Sequence, residues 1–338
     1  MKTIQHEVKI NDVSPKSLSF LTEDAILFDI ETTGFSSKTS QLYMIGCATL
    51  KGEYVCITQF LAEKKEEELS LLTAFFHLCK KYTTCITFNG DGFDISYLKD
   101  KCRRLHGEFT LGELHSLDLY KELKGYKNIL KLENLKQKTV ETFLGISRKD
   151  LYTGGELISH YEKYLKTGDL KEEQLLLLHN YEDVLGMIYL LPVLSYPHAL
   201  QGDFQFKSSF LDTSTDYYGR KIENLILKAN LLYEVPKPIS YRKDEYYLSL
   251  SGKTLSLSCQ VQDGNIKVPY LDYKNYYYLP GEDMAILKEL ASTLGKEEKK
   301  PATLANCYGK FHINDENIAS EKIMQPYMLK VITLLVKL

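Results

Sequence analysis

Short apolar runs separated by brief polar connectors dominate the first part of the chain. Residues 25–30 (AILFDI), 42–49 (LYMIGCAT) and 53–60 (EYVCITQF) are rich in residues that favour strands. Three such runs in close succession are typical of an antiparallel meander. The runs 85–88 (CITF) and 116–120 (SLDLY) predict two more strands of the same sheet.

Apolar positions at helical spacing lie between and after these runs. Residues 66–82 are amphipathic with this period, and residues 93–107 form a second candidate helix with a basic end. From residue 132 to residue 191 the pattern is helical, with glycines near the helix ends. Strands interleaved with helices, and then helices alone, predict an α/β fold in which helices flank a mixed sheet.

Periodicity fades around residues 195–215, and a different pattern follows. Residues 244–273 have the alternation of strands joined by SGKT and QDGN turns, and residues 282–295 (EDMAILKELASTLG) predict a helix. The sequence therefore predicts a smaller β-rich, α+β region after the mixed sheet. We assign residues 1–23 to an N-terminal extension, 24–200 to the first domain and 216–338 to an accessory domain.

Composition narrows the class of protein. The chain has 338 residues, of which 44% are hydrophobic and 26% charged, as in soluble globular proteins. No apolar run is long enough to span a bilayer, and the first residues lack the apolar core of a secretory signal. The seven scattered cysteines indicate reduced thiols, so we expect a cytoplasmic protein that does not associate with membranes and has no structural zinc.

Carboxylates recur where apolar segments end. Asp29 and Glu31 are two residues apart on a strand, so both side chains face the same way. Such charges repel, and burial of either is costly without a cation; two solvated acids on an edge strand are the alternative. His179 and Asp183 are four apart on one face of an apolar helix. Asp94, near a helix start, is by itself more typical of a cap.

Taken in order, these three stretches resemble the motifs of the DEDD superfamily of 3′–5′ exonucleases, which have an RNase H-like fold. DIE at 29–31 is similar to the first motif, FNGDGFDISYL at 88–98 to the second, and the helix around Asp183 to the third. The linking segments resemble the YprB-type family of bacterial RNase H-like domains. The resemblance covers about residues 24–195 and implies a nuclease.

The resemblance also implies the roles of the acids. Asp29, Glu31, Asp94 and Asp183 would bind two divalent ions, Mg²⁺ or Mn²⁺, which prefer hard oxygen ligands. Two such ions activate a water molecule and stabilise the leaving oxygen of an in-line displacement. Their charge would also make the neighbouring carboxylates tolerable.

The third motif departs from the superfamily pattern, in which a tyrosine stands four residues before the last aspartate or a histidine five before it. Here His179 stands four before Asp183, Leu178 five before and Tyr181 two before. We predict that His179 orients or deprotonates the attacking water. Pairing with Asp183 or Glu182 on the helix is the alternative, and we expect Glu182 to be solvated.

Weaker candidates surround these motifs. By the same resemblance, the backbone N–H groups of Thr32, Thr33 and Gly34 would hold the 3′-terminal nucleotide. Asn89 either contacts substrate or shapes its turn, and Asp118 either assists the site or makes a structural hydrogen bond.

Two further segments have residues suited to nucleic acid. The lysine-dense residues 121–138 are suited to a phosphate backbone, and the tyrosines of residues 273–280 (YKNYYYLP) to unpaired bases. A solvated helix face and strand tyrosines are the respective alternatives.

These observations predict a metal-dependent nuclease, a 3′–5′ exonuclease that acts on a single-stranded DNA or RNA end. Two alternatives stay open. The first is a structure-specific endonuclease with the same fold. The second is a nucleic-acid-binding or scaffold protein whose nuclease site is inactive. The sequence identifies no protein partner.

Overall fold

The computed structural model describes residues 1–109, 111–149, 152–215 and 218–338. Asp216, where we expect the accessory domain to begin, lies outside these residues, as do Asp150 and Leu151 of a linking segment. The described residues divide into two units. The first comprises Met1–Lys127 and Leu132–Leu194, and the second comprises Asn128–Lys131 and Ser195–Leu338.

A mixed sheet forms the centre of the first unit, and its six described strands have the spatial order β1-β4-β3-β2-β5-β6. These strands are β1 (Lys2–Lys9), β2 (Ala25–Thr32), β3 (Leu42–Lys51), β4 (Tyr54–Leu61), β5 (Thr84–Thr87) and β6 (His115–Asp118). Strands β2, β3 and β4 form the predicted antiparallel meander, and β5 and β6 run parallel to β2. The prediction of a mixed sheet is confirmed.

The edge strand β1 falls within the segment that we assigned to an N-terminal extension. Lys2–Lys9 pairs with β4 along its whole length, from Lys2 opposite Leu61 to Lys9 opposite Tyr54. Its sequence, KTIQHEVK, is polar and charged, as is usual for a strand at the edge of a sheet. Because the strand is polar, a search of the sequence for apolar runs does not detect it.

Helices lie on both faces of this sheet. They are α1 (Pro15–Leu18), α2 (Glu68–Cys79), α3 (Asp94–Arg104), α4 (Leu119–Lys124), α5 (Gln137–Leu144), α6 (Gly154–Thr167) and α7 (Leu170–Leu190). Phe28 of β2 packs with Phe75 of α2, whereas Tyr43 of β3 stacks on Tyr161 of α6. The predicted strand over 116–120 ends earlier, because Asp118 accepts a hydrogen bond from the N–H of Tyr120 and caps α4.

Helix α7 approaches the sheet most closely at Gly46 of β3. A Cβ atom at this position would lie 2.0 Å from Oδ1 of Asn180 and 2.8 Å from Cγ2 of Val184. The Asn180 side chain cannot easily move, since it is fully buried and its Oδ1 accepts a 3.0 Å hydrogen bond from Nε2 of Gln59. Gly46 is the ladder partner of Asp29, so this close approach places α7 beside the carboxylates of β2.

The second unit is rich in antiparallel strands, as predicted. Its elements begin with α8 (Ser195–Gln201), β7 (Phe204–Thr215), β8 (Lys221–Leu231), β9 (Ile239–Lys243), β10 (Tyr246–Ser251) and β11 (Thr254–Val261). They continue with β12 (Asn265–Pro269), β13 (Tyr276–Leu279), β14 (Met284–Leu287), β15 (Lys300–Pro301), β16 (Tyr308–His312), α9 (Asp315–Ala319) and α10 (Glu321–Lys337). Among the described residues the largest sheet has the order β7-β8-β11-β10-β9.

The prediction of a helix over residues 282–295 is wrong. Met284–Leu287 forms β14, which pairs with β13 from Met284 opposite Leu279 to Leu287 opposite Tyr276. Ala285 belongs to a small cluster of buried side chains against which Tyr276 packs. Contacts with the neighbouring strand therefore override the helical spacing of this window.

One helical stretch among the described residues, Leu170–Gln201, has a length and composition that would allow it to cross a membrane. This differs from the expectation that no apolar run is long enough. However, 78% of the 18-residue apolar window in this stretch is buried within the protein. The buried core helix of a soluble protein can have the same length and composition.

We predict that Gly46→Ala lowers the free energy of unfolding by about 1–3 kcal/mol, because the added Cβ overlaps Asn180 and pushes α7 from the sheet. Chemical denaturation followed by circular dichroism measures the effect. Gly155→Ala is the matched control, since a Cβ there would meet nothing within 4 Å and alanine favours a helix. Equal stability of wild type and Gly46→Ala would show that α7 is free to move.

Candidate functional site

Asp29 and Glu31 lie near the carboxyl end of β2, on the face opposite Phe28. Strand β2 is central, since β3 and β5 flank it, so the alternative of solvated acids on an edge strand is wrong. Glu31 is buried, with 7% of its surface exposed, and Asp29 is half-buried. The ladder shifts register between Glu31 and Thr32, a bulge of the kind that redirects side chains near functional sites.

Asp94 is the first residue of α3 and is also buried. It follows β5 after a short turn, and because β5 runs parallel to β2 the turn leaves the sheet at the end where Glu31 lies. Asp118 holds this turn: its carboxylate accepts hydrogen bonds from the backbone N–H groups of Asn89, at 2.8 Å, and Asp91, at 3.2 Å. Of the two roles considered for Asp118, these contacts show the structural one.

His179 and Asp183 on α7 complete the cluster. Nε2 of His179 is 3.0 Å from Oδ2 of Asp183 and 3.7 Å from Oε1 of Glu31. Ligand atoms of these three residues lie within 4.8 Å of one another, a spacing that could hold a metal ion. Tyr181 points elsewhere, to an edge contact with His6 of β1. Glu182, which we expected to be solvated, accepts hydrogen bonds from the backbone N–H of Lys149.

Sequence reasoning missed Arg148, which contacts the same cluster. Its guanidinium forms ion pairs with Asp183 and with Glu141 of α5. Both acids and the arginine are largely buried, with 8% of the Arg148 side chain and 2% of the Glu141 side chain exposed. Arg148 and Asp183 are 35 residues apart and follow no spacing rule, so no signal in one sequence could connect them.

Two further residues hold the Arg148–Glu141 pair in position. Gln137 donates hydrogen bonds from Nε2 to Oε1 of Glu141, at 3.0 Å, and to the carbonyl oxygen of Asp183, at 3.1 Å. Gly186 provides the space, since a Cβ there would lie 2.6 Å from Oε1 of Glu141 and 3.2 Å from Nη2 of Arg148. The Arg148–Glu141 ion pair is therefore held in a defined position beside Asp183.

Burial and mutual repulsion control the protonation of the acids. Burial raises the pKa of Glu31 to about 8, an effect that His179 opposes and Asp183 reinforces. Burial likewise raises the pKa of Asp94 to about 7. The pKa of Asp29 is raised by burial and then by the charges of Asp94, Glu31 and Asp183. For Asp183 burial is outweighed by the His179 hydrogen bond and the Arg148 charge, which hold its pKa below the usual value.

The donor set fits a hard divalent cation. Oε1 of Glu31 is buried and has no hydrogen-bond partner among the described residues, although a buried carboxylate oxygen normally has one. The charge of Arg148 reaches Asp183 directly but leaves Asp29, Glu31 and Asp94 with raised pKa values. Carboxylate oxygens are the ligands that Mg²⁺ and Mn²⁺ prefer, and a bound ion would neutralise the charge of these acids. The cluster is thus a possible acidic metal site.

The predicted substrate-binding residues lie in two turns beside the cluster. The N–H of Thr33 already donates to the carbonyl of Gln41 at 2.9 Å, and the hydroxyl of Thr32 donates to the carbonyl of Gly34 at 2.9 Å. Asn89 has a φ of 64°, a left-handed conformation that shapes its turn.

In the second unit, part of the tyrosine segment packs internally, as its structural alternative predicts. The rings of Tyr270 and Tyr276 stack at 4.9 Å, and Tyr278 donates a hydrogen bond to Asp283 at 2.7 Å. Tyr276 and Tyr278 also pack against the buried cluster that contains Ala285.

Comparison with known proteins places the first unit in context. A family model described as the RNase H superfamily matches residues 26–195, half of the 338 residues. No curated protein matches the chain. The chain is similar to a family B DNA polymerase from Pyrobaculum calidifontis, with 17% identity, a TM-score of 0.41, and coverage of 52% of this chain and 26% of the polymerase.

The chain is also similar to structures of exonuclease I. One has 13% identity and a TM-score of 0.33 and covers 62% of this chain and 55% of the other. The metal-free complex of the Escherichia coli protein with single-stranded DNA has 10% identity and a TM-score of 0.33, covering 93% and 73%. The chain thus spans about a quarter of the polymerase and just over half of the first exonuclease chain.

We predict that without metal the free energy of unfolding falls as the pH rises from about 4.5 to about 8. In the folded protein the pKa of Glu31 is about 8, above its usual value of 4.5. The contribution of protonated Glu31 to the free energy of unfolding is therefore complete below about pH 4.5 and is lost as the pH rises through about 8. Glu31→Gln should flatten this pH dependence and raise the melting temperature near pH 8 in chelator. The control Glu53→Gln, at an exposed turn, should keep the wild-type profile; an unaltered profile in Glu31→Gln would contradict the assignment.

We also predict that Arg148→Met lowers the free energy of unfolding without metal by about 3–5 kcal/mol, because it leaves the buried Glu141 and Asp183 without their cation. Thermal melting in chelator measures the loss. Lys163→Met breaks an ion pair with Glu172 whose lysine is 57% exposed, so it should change the melting temperature little. If both variants melt alike, Arg148 does not neutralise the cluster.

Proposed function

The chain belongs to the RNase H superfamily, and from this premise we propose that it is a metal-dependent nuclease of the DEDD type, related to the YprB-type family. We propose that it degrades single-stranded DNA or RNA from the 3′ end. One observation carries the proposal: three separate segments bring Asp29, Glu31, Asp94 and Asp183 to one end of the sheet, where Glu31 keeps an orphaned carboxylate oxygen.

In this proposal the four carboxylates hold the metal. Divalent ions, when bound, activate water and neutralise charge at the leaving oxygen. Their ligands would be oxygens of Asp29, Glu31, Asp94 and Asp183. Mg²⁺ or Mn²⁺ suits this donor set best, since all four ligands are hard oxygens.

We assign proton handling to His179. Its Nε2 lies between Asp183 and Glu31, at 3.0 Å and 3.7 Å, so it can give a proton to, or take one from, a molecule that binds among these acids. The pKa of Asp183 is held below its usual value, so its carboxylate is ionised and orients the imidazole through the contact with Nε2. Arg148 positions Asp183 by holding the carboxylate from the side of α5.

The buried acids favour an active nuclease over an inactive binding protein. Raised pKa values at Asp29, Glu31 and Asp94 are a free-energy cost in the absence of metal. A scaffold would gain stability by replacing any of them with a neutral residue. All three positions carry an acid in this chain, as expected if the charges serve to bind ions.

The backbone of Thr32 and Gly34 and the side chain of Asn89 would contact the 3′-terminal nucleotide. Thr33 would contribute to this turn through its bond to Gln41. We propose residues 24–200, together with the edge strand β1, as the nuclease domain and residues 216–338 as an accessory domain.

We predict that a 5′-labelled single-stranded oligonucleotide is shortened stepwise from its 3′ end in Mg²⁺ or Mn²⁺ and is stable in chelator. Asp183→Asn should reduce the rate on the order of 100-fold or more, since it removes a metal ligand without changing the shape of the side chain. The same assay with a DNA and an RNA oligonucleotide shows which sugar the enzyme accepts. Glu53→Gln, which removes a carboxylate at the far end of the sheet, is the matched control and should cleave normally.

Other outcomes select the alternatives. A discrete internal product, or cleavage of a circular strand, would replace the exonuclease by an endonuclease. Retained binding without cleavage in either metal would favour a binding protein.

A further inference from the structure

A groove of about 590 Å³ on the first unit is lined by residues of the segments that lead to Asp94 and contact Asp183. Phe88, Asn89 and Tyr120 line it together with Lys127, Lys136 and Gln137. We call it the Tyr120 groove. Its volume is within the roughly 300–1,000 Å³ that is typical of ligand sites.

Both sides of the Tyr120 groove lead into the cluster. On one side Phe88 and Asn89 begin the turn that runs from β5 to Asp94. On the other side Gln137 donates a 3.1 Å hydrogen bond to the carbonyl of Asp183. A chain molecule in the groove would therefore reach the carboxylates at its end.

A single buried carboxylate fixes the two aromatic sides of the groove to each other. Asp118, 2% exposed, accepts hydrogen bonds at Oδ1 from the N–H of Asn89, at 2.8 Å, and from the N–H of Tyr120, at 3.0 Å. The backbone next to Phe88 and that of Tyr120 thus share one acceptor. The groove is formed before any ligand binds, which lowers the entropic cost of binding.

The chemistry of the groove alternates aromatic faces and cations. The half-buried rings of Phe88 and Tyr120 can stack on unpaired bases. Lys127 and the exposed Lys136 can pair with phosphates. Cations suit this groove, because each phosphate of a single strand carries a negative charge.

We propose that the Tyr120 groove binds the single-stranded nucleic acid next to the phosphodiester that the cluster cleaves, with bases on Phe88 and Tyr120 and phosphates at Lys127 and Lys136. This inference rests on the proposed function. A duplex is excluded from the groove because its base faces are stacked inside the helix. The recognised features, bases and phosphates, are common to DNA and RNA.

Binding of a labelled single strand of about 12 nucleotides to the full chain, by fluorescence anisotropy in chelator, tests the proposal. Lys127→Gln with Lys136→Gln should weaken binding and reduce the slope of log affinity against log salt by about 1.4, or about 0.7 for each lost phosphate contact. Tyr120→Leu should weaken binding about 5-fold or more with an unchanged salt slope, because it removes a stacking face and no charge.

The matched control is Lys9→Gln with Lys51→Gln, which removes the same charge beside Tyr54 at the opposite end of the sheet. It should bind as wild type does. Circular dichroism confirms that each variant is folded, and the arms with DNA, RNA and duplex show which polymer is preferred.

The outcomes separate this inference from the proposed function. Wild-type cleavage together with unchanged affinity and salt slope in both groove variants would overturn the groove and leave the nuclease intact. Equal affinity for duplex and single strand would also overturn it. Failure of the wild type both to bind and to cleave would remove the groove and the nuclease together.

Discussion

Burial of carboxylates at one end of a sheet, to which their mutual repulsion adds, is the constraint on which the first unit depends. Asp29 and Glu31 share a face of β2 because strand side chains alternate, and Asp94 arrives beside them because β5 runs parallel to β2. Raised pKa values record the cost of this assembly. The cluster can persist only because the surrounding contacts fix each element independently of the acids.

Hydrogen bonds and close packing contacts hold these elements in place. Gly46 lets α7 approach β3, and Gln59 fixes Asn180 in that interface. Asp118 satisfies the backbone of the turn before Asp94, and Gly186 makes room for the Arg148–Glu141 pair. Each contact is a hydrogen bond or a close packing contact on an element that carries or flanks one of the carboxylates. Stability is thus concentrated around a site that lowers it, as expected for functional sites in general.

The extent to which sequence alone predicts this site follows from the range of each interaction. The pair on β2 and the pair on α7 follow from strand and helix periods, because both partners lie within four residues of each other. The place of Asp94 depends on the parallel pairing of β5, so it needed the order of the motifs and a family resemblance. Arg148 escapes both kinds of reasoning, since its partner is 35 residues away and only the tertiary fold brings them together. The strand β1 and the false helix over 282–295 show the converse, in which neighbouring strands decide a structure that local composition does not indicate.

Arg148 and the metal ions would not act as equivalent cations. Glu141, which Gln137 holds in place, binds the guanidinium on the side of α5, so Asp183 is the metal-site carboxylate that Arg148 contacts directly. Asp183 is therefore ionised before any ion arrives, whereas Glu31 retains a proton up to about pH 8. An ion that binds between them must displace that proton, so its apparent affinity should rise with pH. The arginine thus supplies one ionised ligand in advance, and the remaining charge of the cluster is left for metal ions to neutralise.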